Sequence, residues 1–179
     1  MKDVMASIRP KHTADIKSGK KTLEIRKSIP KIPTPFKCYI YETMGPADVP
    51  WVDEEGHHIF KGCGQVIGEF VCDQIKSYVW CAYERPFDDT GEYNISVEDL
   101  KNACLTYHQF DDYGGGNELY GWHISNRVIY DKPKPLSDFV VVGCKGCKDK
   151  DTYHCIRSCY GERELKRPPQ SWCYVKEKQ

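Results

Sequence analysis

The apolar residues of this chain come in short runs, and this feature most constrains its fold. Runs at residues 4–8, 36–41 and 64–75 are long enough for strands and are separated by segments rich in proline and glycine. No run approaches the roughly 20 residues of a membrane span. Short strands at irregular spacing, with two modest helices, predict an α+β fold rather than a parallel α/β sheet. We expect a small mixed β-barrel with flanking short helices.

The first clear pair of elements is a helix followed by a strand. Residues 11–19 follow Pro10 and end on Gly19, which predicts a short helix closed by a glycine. Residues 22–26 then alternate polar and apolar side chains, which predicts a strand with one wet face. That face would carry Thr22, Glu24 and Arg26, and the buried face would carry Leu23 and Ile25.

Other elements are predicted along the rest of the chain. Ser96 resembles a helix cap, and its helix is expected to run to about Tyr107. Residues 120–130 predict one strand, and residues 44–60 predict a long loop. Gly68, in the middle of an apolar run, predicts a bulge or a bend.

Charge is unevenly distributed although the formal net charge is zero. Residues 1–37 carry +7, residues 38–126 carry −12 and residues 127–179 carry +5. The basic ends could form a positive face for phosphates, or they could neutralise the acidic middle. The amino-terminal residues contain no apolar signal region, which predicts a cytoplasmic protein that does not contact a membrane.

Three charged residues lie close together around the first predicted strand: Lys21, Glu24 and Arg26, here called the trio. A lysine and an arginine can hold a phosphate or a base carbonyl, and a glutamate can accept from an exocyclic amine. The trio therefore predicts a small polar pocket. The alternative is an exposed strand with a surface ion pair worth about 0–1 kcal/mol.

The spacing Gly-x-Lys-x-x-Glu-x-Arg, met by Gly19 and the trio, resembles the signature of ASCH domains, which have a PUA-like β-barrel fold. Residues 8–21 are similar to that family's opening strand and helix, and residues 120–139 to its closing strand. The tail at residues 167–175 resembles that of bacterial and phage-type members. The resemblance predicts a single ASCH domain over residues 1–179.

The family resemblance implies that RNA or a modified nucleoside binds in a cleft of the barrel. The ligand-binding residues predicted on this basis are Gly19, Lys20, Lys21, Glu24, Arg26, Trp122 and His123. Trp122 could stack on a base, although it could equally belong to the core, and His123 could be structural. Trp172 in the tail is expected to pack as an anchor, with base stacking as the alternative.

One branch of the family resembles an amidohydrolase that removes the acetyl group of N4-acetylcytidine. In that branch the signature lysine is catalytic and works with a threonine and a glutamate. Lys21 matches the lysine, whereas Glu24 stands at the position of the threonine. If this chain is an enzyme, the predicted catalytic residues are Lys21 and Glu24.

A cysteine-rich insertion is predicted at residues 143–160. Its cysteines have the spacing of a tetrahedral zinc site, and they are Cys144, Cys147, Cys155 and Cys159. We expect a structural zinc, with free thiols, a disulfide or an iron–sulfur cluster as alternatives. Cys38 and Cys72 are expected to be small buried apolar residues.

Three functions thus remain open from the sequence. The first is a module that binds RNA or a modified nucleoside. The second is a small amidohydrolase acting on an acylated nucleobase. The third is a zinc-stabilised protein-interaction domain.

Overall fold

The computed structural model describes residues 2–45, 51–52, 58–59, 61–82, 91–143 and 162–178. The chain divides into two compact units. The first unit comprises Met1–Pro10, Lys37–Glu69 and Val128–Gln179, and the second comprises Lys11–Phe36 and Phe70–Arg127. Sheets and three α-helices make up the described chain, so the predicted α+β class is confirmed. None of the helices in these ranges has the length and apolar character needed to traverse a bilayer.

A seven-stranded sheet runs through the first unit in the order β11-β6-β3-β1-β14-β12-β13. Its strands are β1 Asp3–Ile8, β3 Phe36–Glu42, β6 Val66–Cys72, β11 Ser125–Lys134, β12 Phe139–Val142, β13 Glu162–Glu164 and β14 Trp172–Glu177. Strand β1 is parallel to β3 and antiparallel to β14, which pairs Val4 with Cys38 on one side and Tyr174 on the other. The predicted carboxy-terminal tail thus supplies a central strand. One core cluster contains Met5, Tyr39, Tyr41, Val66, Phe139, Leu165 and Val175.

The second unit has a three-stranded sheet in the order β2-β10-β7, formed by β2 Leu23–Arg26, β10 Leu119–His123 and β7 Ile75–Tyr78. Its helices are α1 Pro10–Ser18, α2 Val97–Ala103 and α3 Tyr107–Gly114, and β8 Trp80–Ala82 pairs with β9 Gly91–Tyr93. The core of this unit centres on Phe110, which meets the rings of Tyr78 and Tyr93 edge-on at 5.5 and 5.2 Å. These contacts attach α3 to the neighbouring strands.

The helix predicted from Ser96 to about Tyr107 is two helices. Ser96 caps α2 as expected, because its side chain accepts from the N–H of Asp99. Cys104 then adopts a left-handed conformation with φ of 52° and ends α2. Thr106 begins α3 through a capping box with Gln109. The single-helix prediction was therefore wrong at its carboxy-terminal end.

Two further local predictions need correction. Residues 44–60 were predicted as a loop, but β4 Trp51–Val52 and β5 His58–Ile59 pair within them. The strand predicted over residues 120–130 is interrupted between β10 and β11, and Asn126 just after the break has φ of 46°. Gly68, where the sequence predicts a bulge or a bend, lies within β6. A Cβ atom there would be 2.3 Å from the Val128 carbonyl oxygen, so close backbone approach requires the glycine.

Candidate functional site

The turn between α1 and β2 places Lys21 at the start of the strand. Gly19 has φ of +84°, and its N–H donates to the Ile16 carbonyl at 3.1 Å. The Lys21 N–H donates to the Asp15 carbonyl at 3.1 Å. Arg127 also donates to the Ile16 carbonyl, at 2.7 Å, and its guanidinium would lie 3.0 Å from a Cβ at position 19. The left-handed backbone conformation therefore favours glycine here, and any side chain at position 19 would also have to displace the Arg127 guanidinium slightly.

The trio is buried, which the sequence did not predict. Alternation predicted a wet face for Glu24 and Arg26, yet all four residues of β2 are buried. Lys21, Glu24 and Arg26 are only 2%, 6% and 5% exposed. The expected wet face of β2 was therefore wrong, and the alternative of an exposed surface ion pair is excluded as well.

The three charges of the trio contact one another directly. Arg26 Nη2 lies 2.9 Å from Glu24 Oε1, and Lys21 Nζ lies 3.5 Å from Glu24 Oε2. Lys21 Nζ also donates to the Ala103 carbonyl, at the end of α2, at 2.5 Å. Each carboxylate oxygen of Glu24 thus faces one cation. With two cations and one anion, the trio has a formal charge of +1.

The electrostatics of the trio keep Glu24 ionised. Burial by itself raises the pKa of Glu24, but the charges of Arg26 and then Lys21 outweigh it and hold that pKa below its ordinary value. Glu24 therefore serves as the anion that fixes the two cations in place. Its oxygens already accept from them, so the cations are better placed than Glu24 to meet a ligand.

His12, in the first turn of α1, is a neighbour of the trio that the sequence interpretation missed. Burial lowers the pKa of His12, and the charge of Lys21 lowers it further. Its Nδ1 atom is buried without a hydrogen-bond partner among the residues that the structure describes. The available sequence signal was weak, because a single histidine in a short helix is usually structural.

The other predicted ligand-binding residues have different environments. Lys20 is exposed beside the turn. Trp122 is fully buried, pairs in register with Glu24, and meets the Phe36 ring edge-on at 5.6 Å. Its ring is thus part of the core in this structure.

His123 follows Trp122 at the end of β10 and forms an exposed pair. Its Nδ1 lies 2.6 Å from Asp73 Oδ1, and this hydrogen bond lowers the pKa of Asp73. Both side chains are nearly half exposed, at 44% and 46%. The hydrogen-bond partner of the His123 ring is thus Asp73 and not a member of the trio.

The predicted zinc ligands Cys144, Cys147, Cys155 and Cys159 lie outside the described residues. Within the described ranges, no group of three or more histidine, cysteine or acidic side chains could hold a metal ion. Cys38 and Cys72 are buried free cysteines, as the sequence predicted.

Comparison with solved structures identifies the fold. The crystal structure of an ASCH protein from Zymomonas mobilis matches with a TM-score of 0.54 and 20% identity, covering 97% of this chain and 87% of that one. A tyrosine-to-phenylalanine variant of that protein matches with a TM-score of 0.54 at 20% identity, over 98% of this chain and 91% of that chain. A serine-to-alanine variant matches with a TM-score of 0.52 at 20% identity, over 97% and 88%.

Comparison of the sequence itself gives no relative, since no protein-family model and no curated protein matches it. The structural matches cover nearly the whole chain, and they show that it has the ASCH-domain fold. The fold that the sequence resemblance predicted is therefore confirmed.

Proposed function

We propose that this protein binds RNA or a modified nucleoside, in a polar cleft of its PUA-like fold, through the trio. The observation that carries the proposal is the burial of three charged side chains on β2 and in the turn just before it. Removing charges from water costs several kcal/mol per ion, and their mutual attraction often fails to repay it. This buried cluster, in which the pKa of Glu24 is lowered, is therefore a candidate for a functional site.

The contacts within the trio indicate how a ligand would be held. An ammonium has three N–H donors, and two of those of Lys21 face Ala103 and Glu24. The third donor has no partner among the residues that the structure describes, and it remains available to a ligand. The excess positive charge of the trio favours ligand groups that accept hydrogen bonds, such as carbonyl oxygens.

The residues around the trio complete the proposal. Gly19 shapes the turn, and exposed Lys20 could contact an RNA phosphate beside the site. Trp122 and His123 remain proposed ligand-binding residues. Trp122 supports Glu24 from the paired strand, and contact with a base would require a rearrangement of its ring.

The test compares two lysine variants that remove the same charge. Lys21→Ala removes the buried ammonium, whereas Lys27→Ala removes an exposed one immediately after β2. Binding of cytidine, uridine and a short single-stranded RNA is measured by calorimetry and fluorescence anisotropy. We expect Lys21→Ala to lose binding and Lys27→Ala to retain it for the nucleosides. Equal losses in both variants would contradict a specific site at Lys21.

The amidohydrolase remains a second candidate, and the burial of Lys21 in a site that also holds the Arg26 cation favours it. Desolvation and a cationic neighbour are what activate a lysine as a nucleophile or base, whereas the contact with the Glu24 carboxylate opposes that activation. The assay incubates the protein with N4-acetylcytidine and follows cytidine by chromatography. Product formed by the native protein and not by Lys21→Ala would support hydrolysis, and no product would exclude this substrate.

A structural zinc in the cysteine-rich insertion is also proposed, on the spacing of its four cysteines alone. Such a loop could touch phosphates or a protein partner, which is the third function considered. Metal analysis of the native protein and of Cys144→Ser tests it. One equivalent of zinc in the native protein, lost in the variant, is the expected result, and a zinc-free native protein would contradict it.

A further inference from the structure

His12 lies on the same helix face as the residues that anchor the turn of the site. It precedes Asp15 by three residues and Ile16 by four, so the three share one side of α1. The Asp15 carbonyl accepts from the Lys21 N–H, and the Ile16 carbonyl accepts from the Gly19 N–H. His12 is therefore held beside the start of β2, close enough for the charges of Lys21 and Glu24 to act on it.

The imidazole of His12 has an unmet hydrogen-bonding group. Nδ1 is buried and has no partner among the described residues. Buried polar atoms are almost always hydrogen-bonded, and exceptions need an explanation. A ligand that enters beside the trio would supply the missing partner.

We propose that His12 Nδ1 accepts a hydrogen bond from the ligand, so that the site selects the edge of one nucleobase over a phosphate group. This inference rests on the proposed function and assigns a role to a residue that the trio does not include. A neutral imidazole has one donor nitrogen and one acceptor nitrogen. With the net positive charge of the trio nearby, a lone pair is favoured over an N–H at Nδ1.

The charged groups around His12 keep it neutral at pH 7. Burial first and the charge of Lys21 second lower its pKa. The charges of Glu24 and Asp15 oppose them with smaller effects, and Lys11 lowers it least. The edge of a nucleobase carries a hydrogen-bond donor beside acceptors. His12 Nδ1 would accept from that donor, while the neighbouring cations would donate to those acceptors. The ring N–H of uracil lies between two carbonyls, for example. An ionised phosphate offers acceptors alone and would leave Nδ1 unpaired.

The first measurement uses the native protein labelled with ¹⁵N and ¹³C, with the His12 ring nitrogens assigned by triple-resonance spectroscopy. We expect Nδ1 to be the unprotonated nitrogen at pH 7, and its resonance to shift when uridine or cytidine saturates the site. Inorganic phosphate at the same concentrations should leave it unchanged. A protonated Nδ1, or a resonance that does not respond to bound nucleoside, would overturn the inference even if a His12 variant fails to fold.

The second measurement compares affinities. His12→Phe keeps a ring of similar shape without the acceptor, and it should weaken uridine or cytidine binding by about 10- to 100-fold. Nucleoside binding that disappears in Lys21→Ala and is unchanged in His12→Phe would overturn the role of His12 and leave the proposed function intact. No nucleoside binding by the native protein would overturn both.

Discussion

Replacing Glu24 by glutamine should destabilise the folded protein far more than neutralising a single charge on the surface does. The variant leaves Lys21 and Arg26 buried, at 2% and 5% exposure, without their common anion. Breaking a buried ion pair by removing one partner typically costs about 3–5 kcal/mol. For a chain of this size, that loss corresponds to a fall in Tm of about 6–20 °C.

Urea unfolding followed by far-UV circular dichroism and tryptophan fluorescence measures this loss. The control is Glu164→Gln, which makes the same change in a pair with Lys166 at 3.8 Å, where the glutamate side chain is 60% exposed. The control should cost less than about 1 kcal/mol. A Glu24→Gln variant as stable as the control would refute the argument, because it would mean that water already solvates the trio.

A triple variant separates stability from function at the same site. Lys21→Met, Glu24→Leu and Arg26→Met together replace the trio by apolar side chains of similar length. Such replacements of buried ion clusters are often neutral or stabilising by about 1–4 kcal/mol. We expect the triple variant to fold at least as well as the native protein and to lose ligand binding. A large loss of stability would instead indicate that the trio is structural.

Three further outcomes are expected. Phe110→Ala empties the fully buried centre of the second unit and should cost about 3–5 kcal/mol in urea unfolding; a cost under 1 kcal/mol would contradict this packing. Gly68→Ala forces a methyl group to 2.3 Å from the Val128 carbonyl oxygen and should destabilise by about 1–3 kcal/mol, so a neutral effect would exclude the close approach. Because the pKa of Glu24 is below its ordinary 4.5, its contribution is complete above that pH and is lost as the pH falls through the lowered pKa. The stability difference between the native protein and Glu24→Gln should therefore shrink below pH 4.5, and a difference that grows there would have the wrong sign.

Local patterns in the sequence predicted the elements around the site but not its burial. The glycine after α1 and the alternation of residues 22–26 were sufficient to locate a helix, a turn and β2. Alternation shows which side chains share a face, but it does not show whether another element covers that face. The residues that cover this face include Ala103, which is 82 residues away from Lys21 in the sequence. No local pattern links the two positions.

The broken helix and the broken strand have a similar explanation. Cys104 adopts the left-handed conformation that glycine or asparagine usually adopts at a helix end. The sequence therefore had neither of these residues to indicate where α2 ends. Thr106 and Gln109, by contrast, formed a readable capping box that could have indicated a second helix. Asn126, a residue that tolerates positive φ, was the available signal for the end of the predicted long strand.

The acceptor of the Lys21 ammonium is a main-chain oxygen, and this has a consequence for genetic experiments. A library in which every position is varied and binding is selected would identify Lys21 as intolerant to change. Glu24 would appear as one partner of Lys21, but position 103 would not appear as the other, because every amino acid there retains the carbonyl group. Substitutions at Ala103, which is fully buried, would be rejected according to their size alone. One of the two contacts of the Lys21 ammonium therefore depends only on the course of the backbone, and a screen of side-chain substitutions does not detect it.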